Sequence, residues 1–253
     1  MSGHSKWHNI KLKKGKVDAQ RGQLFTKLSK EIIVAAKSGS PDPDANFRLK
    51  MAVAKAREYN MPMENIKRAI ARATGAEKGA ALEEIRYEGY GPSGVAIIVD
   101  AVTDNRHRTA GEMRYVFSRN GGNLGESGCV AWMFDERGVV TIPAEGISDE
   151  DLLELADVDG VVDVRIDGDV AEILTDPRAL GAAREKVERD VLASRGKAVD
   201  SAAVELVAKT KVDVSPADAA NVLKLLDALE EHEDVTHVYS NAEIPDAVLE
   251  TLA

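Results

Sequence analysis

The sequence lacks the features that mark secreted and membrane proteins. Its one cysteine, Cys129, excludes an intramolecular disulfide and is typical of a reducing compartment. The longest strongly apolar run, Val95–Val102, is interrupted by Asp100 and is much shorter than the roughly 20 residues of a membrane-spanning helix. No apolar stretch follows Met1, so the sequence shows no secretory signal. We therefore expect a cytoplasmic protein that does not interact with membranes.

Motifs of metal sites and enzymes are also lacking. The sequence contains no HExxH, CxxC or EF-hand loop. Cys129 begins an apolar segment, which favours a small buried residue over a nucleophile. The glycine-rich segment 121–128 lacks the Gly-Lys-Ser/Thr end of a P-loop and carries Glu126, so it is better interpreted as a turn than as a phosphate-binding loop. We expect no enzyme activity, metal, cofactor or small-molecule substrate.

Charge is distributed very unevenly along the chain. The whole chain has a net charge of −10, but residues 1–78 contain 17 lysines and arginines against 7 acids. Residues 145–172 contain eleven acids and one basic residue, Arg165, at a spacing that matches no calcium loop and favours a solvated face. This asymmetry predicts that the basic part binds a polyanion, while the acidic part is repelled from it.

The first 16 residues form a polar, lysine-rich arm without acids. A flexible cationic segment can follow a phosphate backbone, and a tryptophan within it can stack on an unpaired base. The candidate nucleic-acid contacts in the arm are Lys6, Trp7, Lys11, Lys13, Lys14 and Lys16. A solvated tail whose tryptophan packs on the rest of the domain is the alternative interpretation.

Apolar residues at three- and four-residue steps predict three helices after the arm. The first spans about residues 18–38, the second follows Asp44, and the third starts near Pro62. Such narrow apolar stripes are typical of a small bundle, whose outer faces we expect to keep the basic side chains. Those chosen as candidate nucleic-acid contacts are Arg21, Lys27, Lys30 and Arg68.

Beyond residue 79 the pattern changes to alternating strands and helices. Strands are predicted at 86–90, 95–102, 129–134 and 204–214, and a helix at 109–119. Further short strands at 138–142, 161–166, 170–174 and 235–239 alternate with helices that begin at Ser148, Asp176-Pro177 and Ser215-Pro216. The pattern predicts an α+β protein, with ferredoxin-like portions in which small sheets carry helices on one face.

Two arginines at a strand-to-helix junction form a second candidate contact. Arg106 and Arg108 precede the predicted helix at 109–119, where positive charge opposes the helix dipole. Guanidinium groups beside the free amides of a helix end would bind a phosphate or carboxylate. Pairing of both arginines with nearby acids is an equally good interpretation.

Several segments resemble the YebC family of probable transcriptional regulatory proteins, which has mitochondrial relatives that activate translation of cytochrome oxidase. The N-terminal string Gly3-His4-Ser5-Lys6-Trp7 carries the resemblance most specifically. Further matching segments are Phe25-Thr26-Lys27-Leu28, Asn60-Met61-Pro62, Tyr87-Glu88-Gly89-Tyr90-Gly91-Pro92, Thr103-Asp104-Asn105-Arg106 and Val238-Tyr239-Ser240-Asn241. The resemblance covers nearly the whole chain. His8, Leu12 and Cys129 depart from the pattern.

The resemblance implies three domains, with the third inserted into the second. The boundaries we expect are 1–79 for the basic all-α domain, 80–134 with 205–241 for the discontinuous α+β domain, 135–204 for the acidic inserted domain and 242–253 for a C-terminal tail. It also implies a non-enzymatic, nucleic-acid-binding regulator of gene expression. DNA binding with regulation of transcription is the first functional hypothesis. The alternative is a translation factor that binds ribosomal RNA and relieves stalling at difficult sequences such as proline runs.

Overall fold

The computed structural model describes residues 17–75, 81–193 and 198–252. Its helices are α1 (Val17–Lys37), α2 (Phe47–Glu58), α3 (Met63–Ala73), α4 (Arg106–Arg119), α5 (Asp149–Ala156), α6 (Leu180–Lys186), α7 (Pro216–Glu230) and α8 (Asp246–Leu252). Its strands are β1 (Glu83–Tyr90), β2 (Ala96–Thr103), β3 (Asn123–Leu124), β4 (Phe134–Pro143), β5 (Val161–Asp167), β6 (Val170–Thr175), β7 (Ser201–Ala208), β8 (Val212–Asp213), β9 (Val235–Ser240) and β10 (Ala242–Glu243). The α+β class is confirmed.

Residues 135–207 form one compact unit, which we call the acidic unit. The described residues before and after it form a second unit, which contains the N-terminal helices, a four-stranded sheet and the parallel pair of short strands β8 and β10. None of the helices within the described residues is long and apolar enough to cross a membrane.

The three predicted N-terminal helices are confirmed. The Asn46 side chain caps α2 by accepting a hydrogen bond from the Leu49 backbone N–H, and it donates to the carbonyls of Ala35 and Ser40. One side-chain amide therefore fixes both the start of α2 and the turn that leads to it. The apolar stripes of the helices meet in a common core that includes Ile32, Leu49 and Ile66.

The larger unit is built on a four-stranded antiparallel sheet in the order β3–β1–β2–β9. Helices α4 and α7 pack against each other and close its core, in which Val99, Phe117, Leu225 and Leu229 are fully buried. Helix α1 of the bundle contacts β2 and β9. The N-terminal bundle is thus packed on the sheet through α1.

The acidic unit contains a second sheet in the order β5–β6–β4–β7. Along the chain its elements run β4–α5–β5–β6–α6–β7, which is the βαββαβ arrangement of ferredoxin-like folds. Ser148 and Asp151 form a capping box at the start of α5, as the sequence predicts a helix beginning at Ser148. Ile142, Leu155, Ile173 and Leu180 are fully buried in this unit.

The strand predicted at 129–134 is wrong. Residues 126–133 form turns and a short 3₁₀ helix, and β4 begins only at Phe134. The cause is the buried carboxylate of Glu88, which accepts hydrogen bonds from the backbone N–H groups of Gly128, Val130 and Ala131. These bonds curl the chain around one side chain, so the amides are not available to a sheet ladder.

Other boundaries also differ from the predictions, among them the starts of β1 at Glu83 and of β4 at Phe134, three and four residues earlier than predicted. Helix α4 starts at Arg106, three residues early, because Asn105 caps it. Helix α6 starts at Leu180 rather than at Asp176-Pro177, since the Asp176 side chain instead holds a turn by accepting from the Arg178 backbone N–H. The strand predicted at 204–214 is divided into β7 and β8. Residues 242–253, expected as a tail, contain β10 and α8, and Leu249 is fully buried.

Gly89 provides a test of the packing between β1, β3 and α4. A Cβ atom at this position would lie 2.6 Å from the Asn123 carbonyl oxygen and 2.8 Å from a ring carbon of Phe117. We expect Gly89→Ala to lower the free energy of unfolding by about 2 kcal/mol, because backbone and a packed ring must both move. Chemical denaturation measures the change.

Gly111→Ala is the matched control. Gly111 lies within α4, and nothing is within 4 Å of the added methyl group. Alanine there is expected to raise the free energy of unfolding by about 0.5–1 kcal/mol, because it restricts the unfolded chain. Equal effects of the two substitutions would contradict the packing described for Gly89.

Candidate nucleic-acid interface

Helices α2 and α3 expose basic side chains on the sides that face away from the bundle core. Leu49, Ala52, Val53 and Ala56 line the buried side of α2, while Ile66 and Ala69 line that of α3. Among the exposed basic residues of these helices are Lys50, Arg57, Lys67 and Arg68, here called the bundle cations, whereas the exposed Arg48 pairs with Glu31 and Glu84. Side chains of this kind are suited to contacts with a phosphate backbone, which need positive charge but no deep pocket.

The predicted nucleic-acid contacts fall into three groups in the structure. Lys6, Trp7, Lys11, Lys13, Lys14 and Lys16 lie outside the described residues, as does the side chain of Arg21. Arg68 is exposed on α3, as predicted for an outer face. Of the remaining four, Lys27, Lys30 and Arg108 contact residues 230–234 before β9, whereas Arg106 lies at the start of α4 beside Glu83.

Lys27 and Lys30 are not on an outer face of the bundle, so that expectation is wrong. Both point from α1 to the connection between α7 and β9, within the same compact unit. Lys27 donates to the carbonyl oxygen of Glu230. Its removal from water lowers its pKa to about 8, because burial disfavours the charged amine. Lys30 donates to the Glu233 carbonyl at 2.9 Å and to the carboxylate of Asp234 at 2.6 Å.

Asp234 is the centre of this cluster. Its side chain is only 2% exposed, and it accepts hydrogen bonds from Lys30, from Arg108 at 3.0 Å and from the Thr109 hydroxyl at 2.8 Å. Burial alone would raise the pKa of this carboxyl group. The bonds from Lys30, Thr109 and Arg108 outweigh burial and lower the pKa to about 2. A fully ionised carboxylate therefore joins α1 of the bundle to α4 and β9 of the sheet domain.

The two arginines at the start of α4 differ in their contacts. Arg108 pairs with Asp234 and also with Asp104 at 3.1 Å. Its geometry is therefore that of the alternative interpretation, in which the arginine pairs with nearby acids. Arg106 has a side chain that is 68% exposed, and its Nε lies 3.8 Å from a Glu83 carboxylate oxygen. The contact of Arg106 with a nucleic acid stays a prediction.

Asp234 was not predicted from the sequence. It is separated by 204 positions from Lys30 and by 126 from Arg108, and no local pattern distinguishes it from its acidic neighbours. The one available signal was the conflict between Arg108 and the helix dipole, which indicated that this arginine has a partner but not which one.

Glu112, His232 and Asp234 bring potential metal ligands within 4.8 Å of one another. Each of these groups already has a protein partner. The Asp234 backbone N–H donates to Nδ1 of His232, so its Nε2 carries the proton and donates to Glu112 at 2.9 Å. The positive charges of Lys30 and Arg108 on Asp234 would repel a cation. The geometry is that of an ion-pair network.

The surroundings of Cys129 disfavour a nucleophilic role. Burial and the nearby carboxylate of Glu88 raise the pKa of its thiol, which keeps it protonated. The preceding segment 121–128 is a turn around β3, as predicted, with Gly121 and Gly128 in the left-handed region at φ 76° and 88°. Side-chain atoms of Cys129 fill the space beside Gly125, so the turn has no open cradle there.

Comparison with known proteins gives concordant matches over nearly the whole chain. Residues 5–76 match the model of the TACO1/YebC protein N-terminal domain, and residues 82–242 match that of the TACO1/YebC second and third domain. A relative from Natranaerobius thermophilus is 51% identical over 99% of this chain and 100% of its own length. One from Dictyoglomus turgidum is 50% identical over the full length of both. Both bear the name probable transcriptional regulatory protein.

A solved structure is also similar. The crystal structure of a conserved hypothetical protein from Aquifex aeolicus superimposes with a TM-score of 0.80 at 45% sequence identity. The match covers 91% of this chain and 93% of that protein.

Asp234→Asn tests the buried ion cluster. We expect it to lower the free energy of unfolding by about 3 kcal/mol at neutral pH, because two cations lose their buried counterion. The folded-state pKa of about 2 lies below the ordinary 3.8, so the contribution of Asp234 is complete above about pH 4 and is lost as the pH falls through 2. The difference in the free energy of unfolding between wild type and Asp234→Asn, measured from denaturation curves, should therefore become smaller between about pH 4 and pH 2.

Glu233→Gln serves as the control, since Glu233 is the exposed neighbouring acid and contributes only its carbonyl to Lys30. Its effect should stay within about 0.5 kcal/mol. A pH-independent difference between wild type and Asp234→Asn would contradict the assigned ionisation.

Proposed function

The chain belongs to the TACO1/YebC family, and we propose that it is a non-enzymatic regulator of transcription that binds DNA through its basic N-terminal helical domain in the cytoplasm. The observation that carries the proposal is the separation of charge. Residues 1–78 have a net charge of +10, whereas the rest of the chain has a net charge of −20. DNA is a dense polyanion, so the basic part is attracted to it and the acidic part is held away.

The names of the relatives support transcription as the process. They are called probable transcriptional regulatory proteins, and they align with this chain from end to end. We extend that role to this chain because the basic N-terminal region, which would carry the binding, falls within the aligned length.

The proposed contacts combine the arm with the bundle cations. The arm contributes Lys6, Lys11, Lys13, Lys14 and Lys16, together with Trp7 as a stacking residue, and Arg21 follows them at the start of α1. Lys50, Arg57, Lys67 and Arg68 extend the positive surface along α2 and α3. Arg106 would add a peripheral contact. Lys30 and Arg108 act differently in this proposal, because their two positive charges are already balanced by the carboxylates of Asp234 and Asp104.

We propose that binding is directed mainly to the phosphate backbone. Lysines dominate the arm, and lysine is a flexible point charge that reads no base pattern. The exposed residues of α3 include Glu64 and Met63 beside Lys67 and Arg68, which is not the arrangement of a helix that reads base edges. We propose that residues 1–79 are the binding module. Residues 80–134 with 205–241 form a discontinuous α+β domain, and residues 135–204 form the acidic domain inserted into it.

The salt dependence of DNA affinity tests the proposal. We expect the logarithm of the binding constant for duplex DNA to fall steeply with the logarithm of the salt concentration. Replacing Lys50 and Lys67 together by alanine should reduce that slope by about two, and each arm lysine replaced should reduce it by about one. Fluorescence anisotropy over a salt series measures the slope.

Lys224→Ala is the matched control. Lys224 is an exposed lysine on α7, outside the proposed binding module, so its loss should leave the slope unchanged. If Lys224→Ala reduced the salt slope equally, DNA would be attracted to basic residues anywhere on the chain and not to the proposed module. Cosedimentation with ribosomal subunits, combined with no measurable affinity for duplex DNA, would replace the proposal by the ribosomal alternative.

A further inference from the structure

The acidic unit carries an apolar groove with an acidic border. The groove has a volume of about 440 Å³ and lies between α5 and β5. Leu152, Leu153 and Ala156 line it from the helix, and Val161, Val162 and Val164 line it from the strand. Leu153 is 71% exposed and Val162 is 55% exposed. Two large aliphatic side chains held in water beside one groove indicate a surface that is covered when a partner binds.

Strand β5 adds a backbone template to these side chains. It is the first strand in the order β5–β6–β4–β7, so within the described ranges no strand pairs with its outer side. Pairing with β6 passes from Val161 to Asp163, which leaves Val162 as the extra residue of a bulge. An edge strand whose outer side is not paired with another described strand, beside an apolar groove, is suited to the addition of an extended peptide as a further strand.

The charge around the groove selects the chemistry of the peptide. Asp149 and Asp163 line the groove itself, and both are exposed. Residues 145–172 contain eleven acids, and their one basic residue, Arg165, is bound to the buried carboxylate of Glu172 at 2.7 Å. The one basic residue of this segment is therefore already paired, and the surplus of acidic residues favours lysine or arginine side chains on the ligand.

From these features we infer that the groove binds an extended, basic segment of a partner protein, in which apolar side chains alternate with lysine or arginine. The segment adds to the outer side of β5. Its apolar side chains cover Leu153 and Val162 in the groove, and its basic side chains point to the other face of the added strand, within the field of the exposed carboxylates at the border of the groove, among them Asp163. Alternation is required because successive residues of a strand point to opposite faces.

A second copy of this chain is a poorer occupant of the same groove. Pairing β5 with β5 of another copy would bring two sets of acidic residues together, including Asp163 of each strand. Like charges opposite each other in paired strands are unfavourable. The same repulsion excludes nucleic acid from the groove, so this surface is distinct from the proposed DNA interface and depends on other residues.

Binding of defined peptides to the intact chain tests the inference. The probe is a peptide of about eight residues in which lysine and valine alternate, long enough to cover β5. Its matched comparison is the peptide in which glutamate replaces lysine, and decalysine reports attraction by charge alone. We expect saturable binding of the lysine-valine peptide in titration calorimetry, with at least about tenfold weaker binding of the other two.

Substitutions in the groove test whether the peptide binds there. Leu153→Ser and Val162→Ser should each lower the affinity for the lysine-valine peptide by about tenfold, because each removes an apolar contact. Val204→Ser is the matched control, since Val204 is 44% exposed on β7, the opposite edge of the same sheet. It should leave the affinity unchanged. Thermal unfolding by circular dichroism checks that all three variants remain folded.

Three results would overturn the inference. The first is no saturable binding of the lysine-valine peptide. The second is binding that Val204→Ser weakens as much as Leu153→Ser and Val162→Ser do. The third is a dimer in sedimentation velocity that Val162→Ser abolishes, which would assign the groove to a second copy of the chain.

Discussion

One buried carboxylate joins the N-terminal helices to the sheet on which they pack. Asp234 lies at the start of β9, and it holds Lys30 of α1 together with Arg108 of α4. Removing the carboxylate of Asp234 and the ammonium group of Lys30 from water is costly, and both stay charged in the fold because each has a partner of opposite charge. The position of α1 on the sheet, and with it the position of the exposed faces of α2 and α3, therefore depends on this cluster.

The same cluster divides the basic residues of the bundle into two groups. Lys27 and Lys30 are used inside the fold, where one donates to a main-chain carbonyl and the other neutralises a buried acid. Lys50 and Lys67 are exposed on α2 and α3 and retain their attraction for a polyanion. Both groups contribute equally to the net charge of the sequence. Only an exposed cation can contact a phosphate group and release its counterion from DNA.

Opposite charge gives the two proposed surfaces different partners. The lysine-rich N-terminal part attracts a polyanion, whereas the groove between α5 and β5 carries Asp149 and Asp163 and attracts a basic peptide. Each surface repels the ligand of the other. A single chain would in this way bind DNA and a basic protein segment without competition between them.

Local patterns in the sequence determined the helices of the bundle, the α+β class and the cap of α5 at Ser148, because helical spacing and capping depend on residues within a few positions. Tertiary structure decided what depends on distant partners. Residues 129–133 are curled around Glu88 instead of extended, and Lys30 and Arg108 pair with an acid more than 100 positions away. No window of sequence contains both members of such a pair, so the sequence determined the total charge, and the fold decided which charges remain free to bind.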